Sequence, residues 1–494
     1  MTIGYMTKAT NMNNLKEITA FSAIQLAEMI TTRQVSCEEV MMAYLDQIHR
    51  LNPFVNAIIS LLPDDLLIKH AKEKDQQFHQ VQNKGFLYGM PLAPKDLTAT
   101  KGIATTLGSP ILKNQTNAAD SINVERMRAA GGVLIGKTNV PEFGLGSHTY
   151  NTVFGTTLNS YDQTKTAGGS SGGTSVALAL HMLPIADGSD FGGSLRNPAG
   201  WNNVYGLRPS LGRVPTGPSA ENFYDQLPTE GPMARTVSDL AMMLSIQAGH
   251  DPRAPLSLKE SPQIFTQSLA TEMKGKKIGW MGNFAGYLPM EAGVLEQSEK
   301  ALQYFTQMGC VVEQVVPQFE MSQLWQSWLV LRAFVTGGKL MPLYQNPEQR
   351  AMLKPEAIWE IEQSLNLKAS DVYTASVTRS AWTKELRRLF QEYDVLVLPS
   401  TQVFAFDAQI TWPKSIAGKT MDTYHRWMEV VIGPTLASLP ALAVPAGFHE
   451  GVPFGLQLIG KPQGEFELLQ VGYAWEQATP FKHQQPKLLT SSPP

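Results

Sequence analysis

The sequence predicts an α/β fold built as one large domain, and three observations carry that prediction. A helical segment over 121–137, with apolar Ile122, Val124 and Met127, passes through Gly131-Gly132 into the apolar stretch VLIGK. Helix, glycine turn and strand in alternation is the pattern of layered α/β proteins. A strand–helix–strand unit follows later, made of KKIGWMG, a helix near 291–308 and CVVEQVV. Strand-like segments also stand at both ends of the chain around a Gly/Ser-rich centre. That arrangement favours one compact unit, although length alone would allow roughly two to four domains.

From the N-terminus, residues 20–52 read as two helices. Ile24, Leu26, Ala27 and Ile30 recur at helical spacing, as do Val40, Met41, Tyr44, Leu45 and Ile48. Asn52-Pro53 is expected to end the second helix. Residues 86–97, FLYGMPLAPKDL, read as a buried strand and the turn after it. Residues 165–200 are rich in Gly and Ser and hold one apolar helix, SVALALHML. Residues 250–275 are polar and carry three prolines, so they read as a linker or surface excursion. Residues 321–390 look helical and aromatic-rich. DVLVLPS, LPALAVPAG and PFGLQLIG read as strands, and 465–478 as a closing helix.

Composition excludes several classes. With 43% hydrophobic residues in a chain of 494, a large core can form. Charged residues make up 17% and the net charge is −3. A protein that grips phosphates needs a basic face, and this balance offers none in bulk, so no nucleic-acid partner is expected. Cys37 and Cys310 suggest neither a disulfide framework nor a metal site and read as packed thiols in a reducing compartment. The N-terminal segment MTIGYMTKATNMNNLKEI lacks the apolar stretch of a secretory signal. No apolar run approaches the ~20 residues that span a bilayer. A soluble, cytoplasmic protein without membrane association is expected.

The chemistry concentrates in three places: Lys95, Gly168-Gly169-Ser170-Ser171-Gly172-Gly173, and Asp190-Phe191-Gly192-Gly193-Ser194-Leu195-Arg196. Acyl transfer needs a nucleophile beside backbone N–H groups that can hold an oxyanion. A serine after two glycines meets that need, but a flexible loop with an incidental serine fits the fragment equally. The GGSSGG run lacks the GK[ST] ending of a phosphate-binding loop, and the polar SYDQTKTA before it does not suit a dinucleotide fold. Lys95 alone would read as a surface charge. Its apolar flanks, MPLAP and LTA, favour burial, which lowers a lysine pKa toward that of a working base. No histidine fits a conventional triad, no GxSxG elbow occurs, and no metal-ligand cluster is visible, so neither metal nor cofactor is expected.

The run GGSSGGTSVALALHMLPIADGSDFGGSLRNPA closely resembles the defining motif of the amidase-signature family of serine amide hydrolases. LYGMPLAPKDL, RAAGGVLIGKTNVPEFGLGS, FGTTLNSYD and PFGLQLIG with FELLQVGYAWE resemble further family segments, over roughly residues 20–240 and 390–480. The resemblance implies a twisted mixed β-sheet core covered by helices on both sides. It divides the single domain into an N-terminal helical part (20–80), a catalytic core (81–245), a variable substrate-shaping part (250–390) and a return to the core sheet (391–494). It implies Ser194 as nucleophile, Ser170 as bridging residue after a cis Gly169–Ser170 peptide, and Lys95 as base. Backbone N–H groups of Phe191, Gly192, Gly193 and Ser194 would form the oxyanion hole. Gly169, Ser171, Asp190 and Arg196 would support the loops. Substrate contacts are expected from Gly146, Ser147, His148, Trp325 and Trp328, although His148 also reads as a packed residue.

Two functions share such a site. The A subunit of a tRNA-dependent amidotransferase works in a complex and passes ammonia onward. Such subunits carry a central sequence similar to RRIMLGTFALSSGYYDAYY, and MLKPEAIWEIEQSLNLKASDVYTASVTRS does not resemble it. The aromatic content of 321–390 suggests an apolar pocket, and no charged pair for the carboxylate and ammonium of glutamine stands out in the sequence. The expectation is therefore a free-standing amidase, a monomer or homodimer acting on small apolar or aryl amides, with esters and carbamates in reach. The A subunit is the alternative.

Overall fold

The computed structural model describes residues 17–82 and 84–490; most of the N-terminal segment read for a secretory signal lies outside them. At the centre is a mixed sheet of eight strands: β1 (Ala186–Asp190), β2 (Tyr205–Arg208), β3 (Thr229–Ala234), β4 (Lys277–Trp280), β5 (Val311–Gln314), β6 (Val395–Pro399), β7 (Ala441–His449) and β8 (Val452–Ile459). Their spatial order is β5-β4-β6-β8-β7-β2-β3-β1. β4 runs parallel to β5 and β6. The remaining neighbours are antiparallel.

Local chemistry explains these elements. β6, VLVLP, is buried at every position, as expected of a strand covered on both faces. β7 and β8 form a hairpin whose two turn residues, Glu450 and Gly451, both have positive φ (50° and 83°). That is the requirement of the tight turn whose twist matches the strands. Helices cover the sheet, among them α1 (Asn197–Trp201) against β7 and β8, α2 (Val237–Gln247) against β3 and α3 (Glu465–Ala478) against β7. One continuous core runs through all these layers. A smaller cluster of Leu145, Leu340, Leu353, Ala357, Ile361 and Tyr424 lies beside it.

Two boundaries differ from expectation. The second N-terminal helix continues through Pro53 to Val55. The helix ends where Asn56 turns into the left-handed region (φ 52°), and the Asn52 side chain accepts from the N–H groups of Ala57 and Ile58 just beyond it. The 86–97 segment supplies only Pro91–Leu92 to a two-residue parallel ladder with Val133–Leu134. Its remainder turns, and Lys95 joins Thr138 through a single bridge. Among the described residues, no helix is long and apolar enough to cross a membrane.

Candidate active site

Three segments converge where β1 ends. Lys95 follows the Pro91–Leu92 ladder, Ser170 and Ser171 precede α4 (Gly172–Ala179), and Ser194 lies in the loop between β1 and α1. Lys95, Ser170, Ser171 and Ser194 are all buried. Lys95 Nζ lies 2.7 Å from Ser170 Oγ, 2.8 Å from Ser171 Oγ and 3.0 Å from Ser189 Oγ, and 3.1 Å from the Ser189 carbonyl. Burial pushes this amine down to about 7 against the pull of Asp190, Asp187 and Glu230. A substantial fraction of Lys95 is therefore uncharged at neutral pH. The Gly169–Ser170 peptide is cis. Ser171 N–H donates to the Ser194 carbonyl at 3.3 Å, tying the two serine loops together.

The 190–196 loop is held by an ionic knot. Arg196 grips Asp190 with Nε and Nη2, each at 3.0 Å, and reaches Val431 O, Gln457 Oε1 and Thr435 Oγ1. Arg208 adds a second guanidinium, donating to the Asp190 carbonyl and to Oδ1. Burial alone would raise the Asp190 carboxyl, but the two arginines hold it well below the usual carboxylate range. Asp190 also accepts from the N–H groups of Gly193 (2.8 Å) and Leu195 (3.0 Å). Gly193 has φ 93°, and a Cβ there would lie 1.9 Å from Asn197 Oδ1, so only glycine fits. Its N–H is spent on Asp190, which narrows the expected oxyanion donors to Phe191, Gly192 and Ser194.

The expected substrate contacts fall out differently. Ser147 Oγ donates to the Gly169 carbonyl at 2.6 Å and so braces the serine loop. His148 is buried between Ala408 O (3.1 Å from Nε2) and Thr166 Oγ1 (2.7 Å from Nδ1). Burial pushes its imidazole down to about 4, so it stays neutral near pH 7. Gly146 faces the Tyr424 ring. Trp328 is fully buried against Gly192 and meets Phe191 edge-on at 5.7 Å. Trp325 is buried one layer back, against His425 and under Arg426.

Sequence reasoning missed a charged pair in the same wall. Arg332, on α5 (Met321–Gln345), pairs with Glu360 on α6 (Pro355–Leu365) and donates to Tyr424 Oη at 2.6 Å. Its guanidinium lies 4.9 Å over the Phe191 ring and 5.4 Å over Trp328. Burial opposes its charge, yet Glu360 and Tyr424 hold its pKa above the ordinary arginine value. The available signal was an arginine inside the apolar run LVLRAF, since an isolated charge among core residues is buried with a partner. Lys137 was missed on the same pattern. It donates to Thr100 Oγ1 at 2.8 Å and to the Thr98 carbonyl, and burial pushes it down to about 8.

A profile of the amidase family matches residues 39–469. The chain belongs to the amidase family. Among curated relatives of this amidase-family chain, the A subunit of glutamyl-tRNA(Gln) amidotransferase from Cyanothece sp. is 33% identical over 490 residues, 94% of this chain and 99% of the relative. The protein of the same name from Chloroflexus aurantiacus is 32% identical over 502 residues, 97% and 100% of the two chains. Among solved structures, a bacterial aryl acylamidase superposes with TM-score 0.89 at 28% identity, covering 97% of this chain and all of that one. The glutamyl-tRNA(Gln) amidotransferase A subunit of Thermotoga maritima superposes with TM-score 0.75 at 27% identity, covering 94% and 96%.

These relatives correct two expectations. A free-standing hydrolase of apolar or aryl amides, esters or carbamates is not what the near full-length curated relatives are; they are amidotransferase subunits. A monomer or homodimer without nucleic acid is overturned by the same names, which denote one part of a larger enzyme and a tRNA. Trp325 and Trp328, expected to line an apolar pocket, are buried, as are Lys95 and Ser194. Arg332 and Glu360 form a buried ion pair that does not stand out in the sequence.

Proposed function

We propose that this chain is the glutamine-hydrolysing A subunit of a tRNA-dependent amidotransferase. The observation that carries this reading is similarity to A subunits along nearly the whole of both chains. The Arg332–Glu360 pair beside Phe191 supports it, because glutamine presents a carboxylate and an ammonium of complementary charge. The −3 net charge speaks only for this chain; in a complex, a different subunit can carry the phosphate-binding face.

The Lys95–Ser170 hydrogen bond supports the first link of the relay. Neutral Lys95 Nζ accepts the Ser170 proton while Ser170 Oγ accepts that of Ser194. Ser194 Oγ bonds to the carboxamide carbon, and the N–H groups of Phe191, Gly192 and Ser194 hold the resulting oxyanion. Each such donor is typically worth about 2.7–4 kcal/mol at the transition state. The proton on Lys95 passes back through Ser170 to the departing nitrogen, ammonia leaves, and a γ-glutamyl ester stays on Ser194. Water then enters by the same relay and releases glutamate.

The test is a pull-down of the tagged chain from its native cells, followed by glutaminase assays on the captured complex. Co-purifying amidotransferase subunits and ammonia release from glutamine that rises with glutamyl-tRNA are expected. A chain that purifies alone, cleaves simple acylamides and leaves glutamine intact would reject the reading.

A further inference from the structure

Two short segments must meet for the relay to run, the turn that carries Lys95 and the loop that carries Ser170. The dipeptide Lys137-Thr138 stands between them. On one side its main chain pairs with Ile58–Ile59. On the other, Thr138 N–H donates to the Pro94 carbonyl and the Thr138 carbonyl accepts from Asp96 N–H, each at 3.1 Å. The Thr138 hydroxyl meets that of Thr174 at 2.7 Å, on α4, the helix that follows Ser170 and Ser171. Thr138 thus fixes the start of the Lys95 turn against the serine helix.

The end of that turn is held by Lys137. Thr98 N–H donates to the Lys95 carbonyl at 2.9 Å, closing the turn. The Thr98 carbonyl accepts from Lys137 Nζ and, at 3.0 Å, from Thr100 Oγ1. Lys137 Nζ also donates to Thr100 Oγ1 at 2.8 Å. Lys137 and Thr100 are both fully buried. Taking an amine out of water is costly unless its donors are matched, and here the matching groups belong to one turn. That turn presents two side chains to the site. Lys95 Nζ reaches Ser170 Oγ at 2.7 Å, and Leu97 packs on Gly144 beside the Ser170 hydroxyl.

We propose that Lys137 is a positioning residue of the relay: by gripping the Thr98 carbonyl it holds the turn from which Lys95 reaches Ser170. The inference rests on the Ser194–Ser170–Lys95 relay of the proposed function and deepens it. Among the described residues, the hydrogen bonds of the Lys137 side chain go to Thr98 and Thr100, not to the three relay side chains. Its effect on the reaction therefore passes through the placement of Lys95. Asp187 holds the same turn from its other end, accepting the Lys95 N–H at 3.2 Å. With Asp187 and Thr138 at the start and Lys137 at the end, the Lys95 side chain leaves a backbone anchored on both sides.

The experiment measures the rate of Ser194 labelling by a fluorophosphonate, at a pH above the acid limb, which reads the relay whatever the amide substrate. A reacting group displaced by about 1 Å can cost ~100-fold in rate. Lys137→Met, which keeps an unbranched chain and removes the donors, should label roughly 10- to 100-fold more slowly than wild type. In a Lys95→Ala background the same substitution should leave the rate unchanged, because the base it positions is gone. Groups that act through one another are non-additive in this way. A brace serving the fold alone would slow both backgrounds by the same factor. Lys137→Gln, which keeps a donor on a shorter chain, should label at a rate between those of Lys137→Met and wild type. It also serves if the methionine variant does not fold. Wild-type labelling in either folded variant, or equal slowing with and without Lys95, would overturn the role of Lys137. Labelling of Lys95→Ala at the wild-type rate would instead overturn the relay beneath it.

Discussion

At the residue scale, the proposed relay turns on one proton. Lys95 works as a base only when uncharged, and burial brings its pKa down to about 7. kcat/KM should therefore rise as pH increases through about 7 and fall below it, since protonation removes the base. A flat profile across that range would mean another group initiates the reaction. Ser194→Ala should remove turnover while leaving the thermal midpoint near wild type, because one buried oxygen is lost from a loop that the Asp190 knot holds independently. Ser170→Ala and Lys95→Ala should each slow the enzyme by orders of magnitude, with the double variant costing far less than their product, as groups acting as one unit do. Strict additivity in that cycle would separate their roles. Cys37 and Cys310 are buried, and burial raises their thiols to about 12 and about 11. Neither supplies a thiolate near neutral pH.

Among the elements, the loop from Asp190 to Arg196 is made rigid by charge taken out of water. A buried ion pair contributes little net stability, but breaking one leaves a charge uncompensated. Arg196→Ala should cost about 3–5 kcal/mol on that ground, read as a lower denaturation midpoint with the amide-cleaving rate falling in parallel. Wild-type stability in that variant would show that Arg208 alone suffices. The Arg332–Glu360 pair offers a specificity test: Arg332→Leu should raise KM for glutamine far more than KM for a simple uncharged amide. Equal changes for both would make the pair a structural brace only. The motif-bearing loops were legible in the sequence because glycine and serine at fixed positions have few other uses. The pair on α5 and α6 was not, since its partners lie on separate helices and only the fold sets which side chains meet.

Across the molecule as a whole, the sequence revealed the layers better than the sheet. β6, β7, β8 and α3 stand where their apolar patterns place them. β1, ADGSD, was invisible as a strand because its side chains serve the site: Asp187 and Asp190 bind backbone N–H groups, and Ser189 meets Lys95. Polarity that function requires erased the alternation by which a strand is recognised. β2 and β3 were unreadable for a related reason: β2 is only four residues, YGLR, and β3 carries Glu230 within it. The aromatic-rich middle was legible as helix, but not as core, because spacing does not say whether a buried face meets protein or ligand.

If Ser194 is the nucleophile of a glutaminase, it carries the acyl group of glutamine during turnover. Rapid acid quench of the native complex turning over glutamine, followed by peptide mass spectrometry, captures that intermediate. A γ-glutamyl ester is expected on the peptide that contains Ser194, absent from Ser194→Ala and strongly reduced in Lys95→Ala. Ammonia released from glutamine without that ester, or with the acyl group on another residue, would rule out Ser194 as the nucleophile.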